Sequence, residues 1–263
     1  MTEHTEQGPV VHTLREEGVK APEVPADAVA RALERFDPDS DIETAVNLLR
    51  VAGRLRIEKA ADRARALAAH HNPAIRQEAR KTLGRLRLDP GPEIAPDPPN
   101  LLDLRQLAAV IDRRPRVALD TTRGRFVVEL RPDLAPVTAL NFLTLVRGGF
   151  YDGVGFHRIV PAFVAQAGDP SGTGFGGPTY TIRCEASEES YVRGTLGMAL
   201  AGPDTGGSQF FITYSAEPHL DRRYTAFGQV VEGLEVVEAL QPWDRILGAR
   251  ELDALAAAPA PQP

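Results

Sequence analysis

Five prolines fall within eleven positions of this chain, in DPGPEIAPDPP at residues 89–99, and no other stretch constrains its folding more. Proline removes a backbone donor and keeps the residue before it out of helix geometry. The stretch therefore reads as an extended, semi-rigid linker. Composition changes sharply across it. Of sixteen aromatic residues only Phe36 precedes residue 116, and all three lysines (Lys20, Lys59, Lys81) lie before the linker. A length of 263 residues is enough for about two domains. The expected organisation is a flexible lead at 1–20, a helical module at 21–88, the linker at 89–99, a second domain at 100–256 and a low-complexity tail at 257–263.

Composition removes several classes of function. Hydrophobic residues make up 43% and charged residues 25%, an ordinary globular mix. No apolar run approaches the roughly 18–20 residues of a membrane span. The net charge of -6 disfavours a protein that holds nucleic acid by neutralising phosphates. A single cysteine, Cys184, makes neither an internal disulfide nor a cysteine-rich zinc site. The opening MTEHTEQGPVV is acidic and polar, unlike a secretory signal. These features point to a soluble protein of a reducing compartment, expected to be cytoplasmic, with export after removal of a signal as the alternative.

The first half reads as helices. Ser40 and Glu43 have the spacing of a capping box, and Ile42, Ala45, Val46 and Leu49 follow on one face. Asn72 before Pro73 is a second start, continued by Ile75, Ala79, Leu83 and Leu86. Segments 26–36 and 58–70 read as further helices. Gly53-Arg54-Leu55 and Gly84-Arg85-Leu86, 31 residues apart, form a weak internal repeat. HNPAIRQEARKTLGRL resembles the second helix of a HEAT repeat, against the alternative of a plain four-helix bundle.

The second half alternates in strand fashion. Residues 117–130 read as two strands about a turn at Thr122–Gly124, and 136–149 as a helix opened by proline and closed by glycines. VGFHRIVPAFVAQAGD is strand-like and broken at Pro161. GTLGMALA, SQFFITY and TAFGQVVEG are further strands, the last followed by a helix around LEVVEAL. Many strands with few helices point to a closed barrel or sandwich.

Four familiar signatures fail. Gly172-Thr-Gly-Phe-Gly-Gly177 matches a loose dinucleotide pattern, but a proline and a strand follow where a helix is needed, so it reads as a mobile surface loop. Asp37, Asp39 and Asp41 begin like a calcium loop but lack its glycine and its glutamate. His70-His71 has no companion ligand at metal spacing. Ser208 lacks a nucleophile elbow. What resists an ordinary core reading is Arg158 within an apolar strand, near Phe163 and Gln166, with a second strand contributing Gln209, Phe210 and Phe211.

FHRIVPAFVAQAGD, GTGFGG, GTLGMALAGPDTGGSQFFITYS and HLDRRYTAFGQVVEG, in that order over about residues 115–248, resemble the cyclophilin family of peptidyl-prolyl isomerases. The resemblance implies an eight-stranded antiparallel closed barrel capped by two helices, with the substrate groove on its outer surface. It assigns Arg158, Gln166 and Phe163 to the catalytic set. Phe163 and Phe211 would form the proline pocket and Leu220 would close it. Val164, Ala199, Leu200, Gln209, His219 and Tyr224 would line the groove, and His157 would be structural. It implies proline-containing polypeptides as substrates and no metal or cofactor, because no bond is broken. The helical module would hold a partner or client. The alternative is a catalytically idle barrel that docks proline peptides on a helical scaffold. His219 stands where eukaryotic members often carry tryptophan, Tyr224 where histidine is frequent, Val164 for a methionine, Leu200 for an asparagine and Ala167 for a glycine. Cyclosporin is therefore expected to bind weakly.

Overall fold

The computed structural model describes residues 25–92 and 104–252. The expected lead at 1–20, residues 93–99 of the linker and the tail at 257–263 lie outside the described residues. No helix among those described is long and apolar enough to cross a membrane.

Helices α1 (Ala26–Arg35), α2 (Ile42–Arg54), α3 (Ala61–Leu67) and α4 (Pro73–Arg85) form the first part. Their buried stripes, including Leu33, Leu49, Ile75 and Leu83, share one apolar core. The cap of α2 is Asp41 rather than the expected Ser40: Asp41 accepts the Thr44 N–H, while the Ser40 hydroxyl donates to the Asp37 carbonyl. A carboxylate satisfies an orphan helix donor more strongly than a neutral hydroxyl, which is the physical reason for the shift. Asn72 caps α4 as expected, accepting from Ala74 N and Ile75 N. The internal repeat is visible as geometry. After Leu55 and Leu86, Arg56 and Arg87 both turn left-handed, and Ile57 and Leu88 donate back to Ala52 and Leu83. Gly53 lets α2 and α4 approach closely. A Cβ there would lie 3.2 Å from Thr82 Cα, and the Thr82 hydroxyl bridges to the Leu49 carbonyl at 2.8 Å. The Arg80 guanidinium binds the Pro90, Gly91 and Pro92 carbonyls, which fixes the start of the linker against α4.

The second part is a single curled sheet of β1 (Arg116–Thr121), β2 (Gly124–Leu130), β3 (Arg158–Val160), β4 (Val164–Ala167), β5 (Thr195–Met198), β6 (Phe210–Thr213), β7 (Ala226–Glu232) and β8 (Ile246–Leu252). The strand order is β3-β4-β6-β5-β7-β2-β1-β8, and every pairing is antiparallel. A closed barrel is not what forms. The edge strands β3 and β8 share no ladder, but the segment 153–156 ahead of β3 meets 243–246 through the Gly155–Arg245 bridge and four backbone hydrogen bonds, from Gly153 N–H to Ile246, Ile246 N–H to Val154, Phe156 N–H to Asp244 and Trp243 N–H to Phe156. β3 is three residues long and its ladder is with β4, so the contact between the two edges is confined to that short stretch. The sheet is a strongly curled half-barrel. Helices α6 (Pro136–Arg147) and α7 (Leu234–Glu238) lie against it, and α5 (Leu104–Ile111), which sequence periodicity did not mark, packs on α6. The inner face carries Ala165, Ala167, Leu196, Met198, Phe210 and Ile212 in the main core. Period-two alternation therefore turns Val164, Gln166 and Phe211 to the outer face.

Candidate active site

Pairing register assembles the site. Arg158 lies opposite Gln166 on β3 and β4, Gln166 opposite Phe211 on β6, and Phe211 opposite Gly197 on β5. Directly opposed residues share a face, so these four form one row across the outside of the sheet. The glycine at the end of the row leaves space for aromatic rings. A Cβ on Gly197 would lie 2.4 Å from Phe211 Cζ and 2.6 Å from the Tyr191 hydroxyl.

Around Phe211 an apolar cluster separate from the main core gathers Val164, Tyr191, Leu220 and Ala226, with Phe163, Ala199 and Tyr224 packed on it. Tyr191 stacks under Phe211 at 5.7 Å and Tyr224 meets its edge at 5.8 Å. Tyr191 carried no distinguishing sequence signal, because it stands alone in the polar run SEESYVRG. Phe163 arrives by a tight connection after β3. Its N–H donates to Val160, and Ala162 adopts a left-handed conformation at the break expected at Pro161. His219, on the 3-10 turn Pro218–Leu220, stacks on Phe163 at 5.5 Å and remains 60% exposed. Leu220, from the same turn, is buried in the cluster.

Polar groups flank this pocket on one side. Arg158 is exposed, with its guanidinium carbon 5.9 Å from the Phe163 ring centroid. Arg158 Nη1 donates to Gln166 Oε1 at 3.4 Å, and among the described residues no carboxylate pairs with Arg158. Gln166 Nε2 donates to Gln209 Oε1 at 3.1 Å, and Gln209 Nε2 donates to the Gly174 and Gly176 carbonyls at 3.0 and 2.9 Å. Leu200 does not join the proline-side cluster; it packs on the main core and faces a neighbouring cavity shared with Ala199 and Gln209. All the other residues expected in the site come together.

The loop carrying Gly174 and Gly176, expected to be a mobile surface loop, is organised by a carboxylate. Asp169 is 1% exposed, accepts the Ser171 N–H and hydroxyl at 2.7 Å each, and accepts the Gly174 N–H at 2.6 Å. Phe175, at the loop's far end, packs against the helical core.

The half-buried His157 ring precedes Arg158, and burial pushes its pKa below the usual histidine range. Burial does the same to His70, more than the nearby Asp39 carboxylate raises it. Both histidines are thus neutral in the fold, while an unfolded histidine takes up its proton near pH 6.5. A depressed native pKa means the unfolded chain binds protons first as pH falls. Stability is therefore full above about pH 6.5 and declines below it. Urea unfolding at pH 7.5 and 5.5 should show a lower midpoint at 5.5, and His157→Phe should narrow the difference.

Asp39 supplies the companion that His70-His71 lacked in sequence, and these three form a potential metal-ligand group among the described residues. Asp39 Oδ1 lies 3.5 Å from His70 Nε2 and 3.2 Å from His71 Nε2. His70 Nδ1, however, accepts the Asn72 N–H at 3.1 Å. A neutral ring whose Nδ1 lone pair is engaged carries its proton on Nε2, which then donates and does not coordinate. The cluster is a close polar contact between the 37–41 turn and the segment that leads into α4.

Residues 116–251 match the family described as cyclophilin type peptidyl-prolyl cis-trans isomerase. A peptidyl-prolyl cis-trans isomerase of Synechococcus elongatus is 48% identical over 134 residues, covering 50% of this chain and 92% of that protein. Peptidyl-prolyl cis-trans isomerase B of Bacillus subtilis is 51% identical over 118 residues, covering 44% of this chain and 82% of its own. Crystal structures of a Cryptosporidium parvum cyclophilin type isomerase superpose with TM-scores of 0.51 and 0.50 at 34% and 35% identity. They cover 53% and 52% of this chain and 98% of theirs, and the second was determined in the presence of the dipeptide Ala-Pro.

Proposed function

The chain belongs to the cyclophilin-type peptidyl-prolyl cis-trans isomerases, and from that premise we propose how its own residues accelerate rotation about an X–Pro bond. Resonance gives that bond partial double-bond character and a barrier of about 20 kcal/mol. No bond breaks, so the enzyme has only to favour the twisted amide over both planar forms. Twisting localises a lone pair on the prolyl nitrogen. Arg158 donates to that nitrogen in the twisted state, and the planar states offer it no such acceptor. Arginine suits the task because it stays charged and presents a rigid fork of donors. Phe163, Phe211 and Leu220 hold the prolyl ring, and Gln166 orients the guanidinium. Val164, Ala199, Gln209, His219 and Tyr224 line the rest of the groove, with Leu200 at its far end.

The observation that carries this reading is an arginine at the mouth of an apolar outer-face pocket, paired with an amide and with no carboxylate among the described residues. A purely structural arginine would be neutralised, and an idle peptide binder would need the pocket but not the charge. An isomerisation assay on a short X–Pro peptide tests it: catalysis supports the enzyme, whereas binding without acceleration leaves the docking module.

We further propose that residues 21–88 are a HEAT-like module for a client or partner and that 100–256 form the isomerase domain, joined through 89–99 and acting in the cytoplasm. The matching ends of α2 and α4, and a helical core distinct from that of the sheet, support this division. Cyclosporin should bind weakly, because an exposed imidazole offers less apolar contact than an indole. His219→Trp should tighten the drug by about 30- to 150-fold, from tens of Å² more apolar contact and one hydrogen bond. Calorimetric titration decides it; equal affinities would assign control to Leu200, Tyr224 or Val164.

A further inference from the structure

Beside the Arg158 groove lies a cavity of about 170 Å³ whose walls come from both halves of the chain. Gln166, Ala199 and Gln209, which belong to the groove, form its near side, and Leu200 and Phe175 line its flank. Its far side is the first turn of α4, with Pro73, Ala74 and Gln77. We propose that α4 is part of the enzyme's substrate-binding surface. In this arrangement Ala74 and Gln77 close a cavity that receives an uncharged side chain of the polypeptide flanking the target proline. The inference rests on the isomerase reading above and adds a selectivity element contributed by the helical module.

Three observations carry it. The cavity is continuous with the groove, because Gln166 and Gln209 face both. A peptide held at the proline pocket therefore extends past these amides toward α4. The wall is held in place on both sides. Asn72 caps the turn that bears Ala74, and Phe175 passes from the loop of Gln209's acceptors into the helical core. The lining contains glutamines, threonines, small residues and aromatic rings but no charged side chain. A neutral side chain of leucine, methionine or glutamine size fits such walls. A carboxylate or ammonium would lose its hydration there without gaining an opposite charge.

The test uses the full chain and proline peptides in which each of three positions on either side of the proline is varied over Gly, Leu, Gln, Glu and Lys. At one flanking position the wild type should turn over the Leu peptide about tenfold better than the Gly or Glu peptide, the scale expected when an apolar side chain leaves water. Gln77→Trp fills the cavity and should reduce that preference to under threefold, through KM. Ala74→Leu, a smaller filling, should act in the same direction and serves if Gln77→Trp fails to fold by circular dichroism. The inference is overturned if no flanking position shows a preference, or if the preference is equal in wild type and filled variants. In both of those outcomes the peptides still turn over, so the isomerase reading stands. A wild type inactive on every peptide overturns both.

Discussion

Arg158→Ala lowers kcat/KM on a short X–Pro peptide by about 10²- to 10³-fold, the loss expected when one preorganised donor of about 2.7–4 kcal/mol is removed from a transition state. The fold should be almost unaffected. Arg158 is exposed, its bond to Gln166 is long at 3.4 Å, and no ion pair among the described residues depends on it. Surface changes of this kind stay within about 0.5 kcal/mol of stability. Arg158→Lys should fall between wild type and alanine, because a lysine keeps the charge but loses the planar fork and its registry with Gln166. The checks are an NMR or protease-coupled isomerisation rate with thermal unfolding of the same samples. An alanine variant within threefold of wild type would remove Arg158 from the mechanism.

Strand alternation marked Arg158, Phe163, Gln166 and Phe211 as an unusual polar and aromatic set, and the cyclophilin resemblance, not alternation, gave them their roles. Arg158, Gln166 and Phe211 stand on separate strands, and once a register pairs them they share a face. The hairpin of β1 and β2 and the start of α4 were equally plain, since the turn at Thr122–Gly124 and the Asn72-Pro73 pair are signals contained in a few residues. What stayed hidden depends on distant partners. Strand β8 carries charges and a glycine in ILGAREL and becomes a strand by pairing with β1, more than 120 residues earlier. Helix α5 is short and is held by packing on α6. Asp39 meets His70 and His71 only when α2 and α4 pack, so no spacing rule found that contact. The incomplete closure of the barrel is of the same kind: it depends on how two distant edges meet, and they meet through the short contact of 153–156 with 243–246 rather than through a β3–β8 ladder.

The Gly172–Gly177 loop lies at the surface as its glycines suggest, but the buried Asp169 carboxylate that organises it has no signal in the local sequence. Asp169→Ala should therefore be among the most damaging substitutions outside the groove. Two backbone N–H groups, of the exposed residues Ser171 and Gly174, would lose the buried carboxylate that organises them. A hydrogen bond to a charged acceptor contributes about 1.5–3 kcal/mol, and the lower end applies to donors that water can reach, so about 3 kcal/mol in total is expected. For a domain of this size that lowers Tm by about 6–12 °C. Activity should fall as well, by about tenfold, for a geometric reason. The Gly174 and Gly176 carbonyls hold Gln209, Gln209 holds Gln166, and Gln166 orients Arg158. A slackened loop lets that chain of amides rotate, and small displacements of a positioned donor are expensive in catalysis. Asp169→Asn keeps one acceptor oxygen and should lose about half as much stability. Because Phe175 of the same loop packs in the helical core, the alanine variant should also exchange amide hydrogens faster along α4. Unchanged protection of α4 together with an unchanged Tm would mean that the loop is held by Phe175 rather than by Asp169.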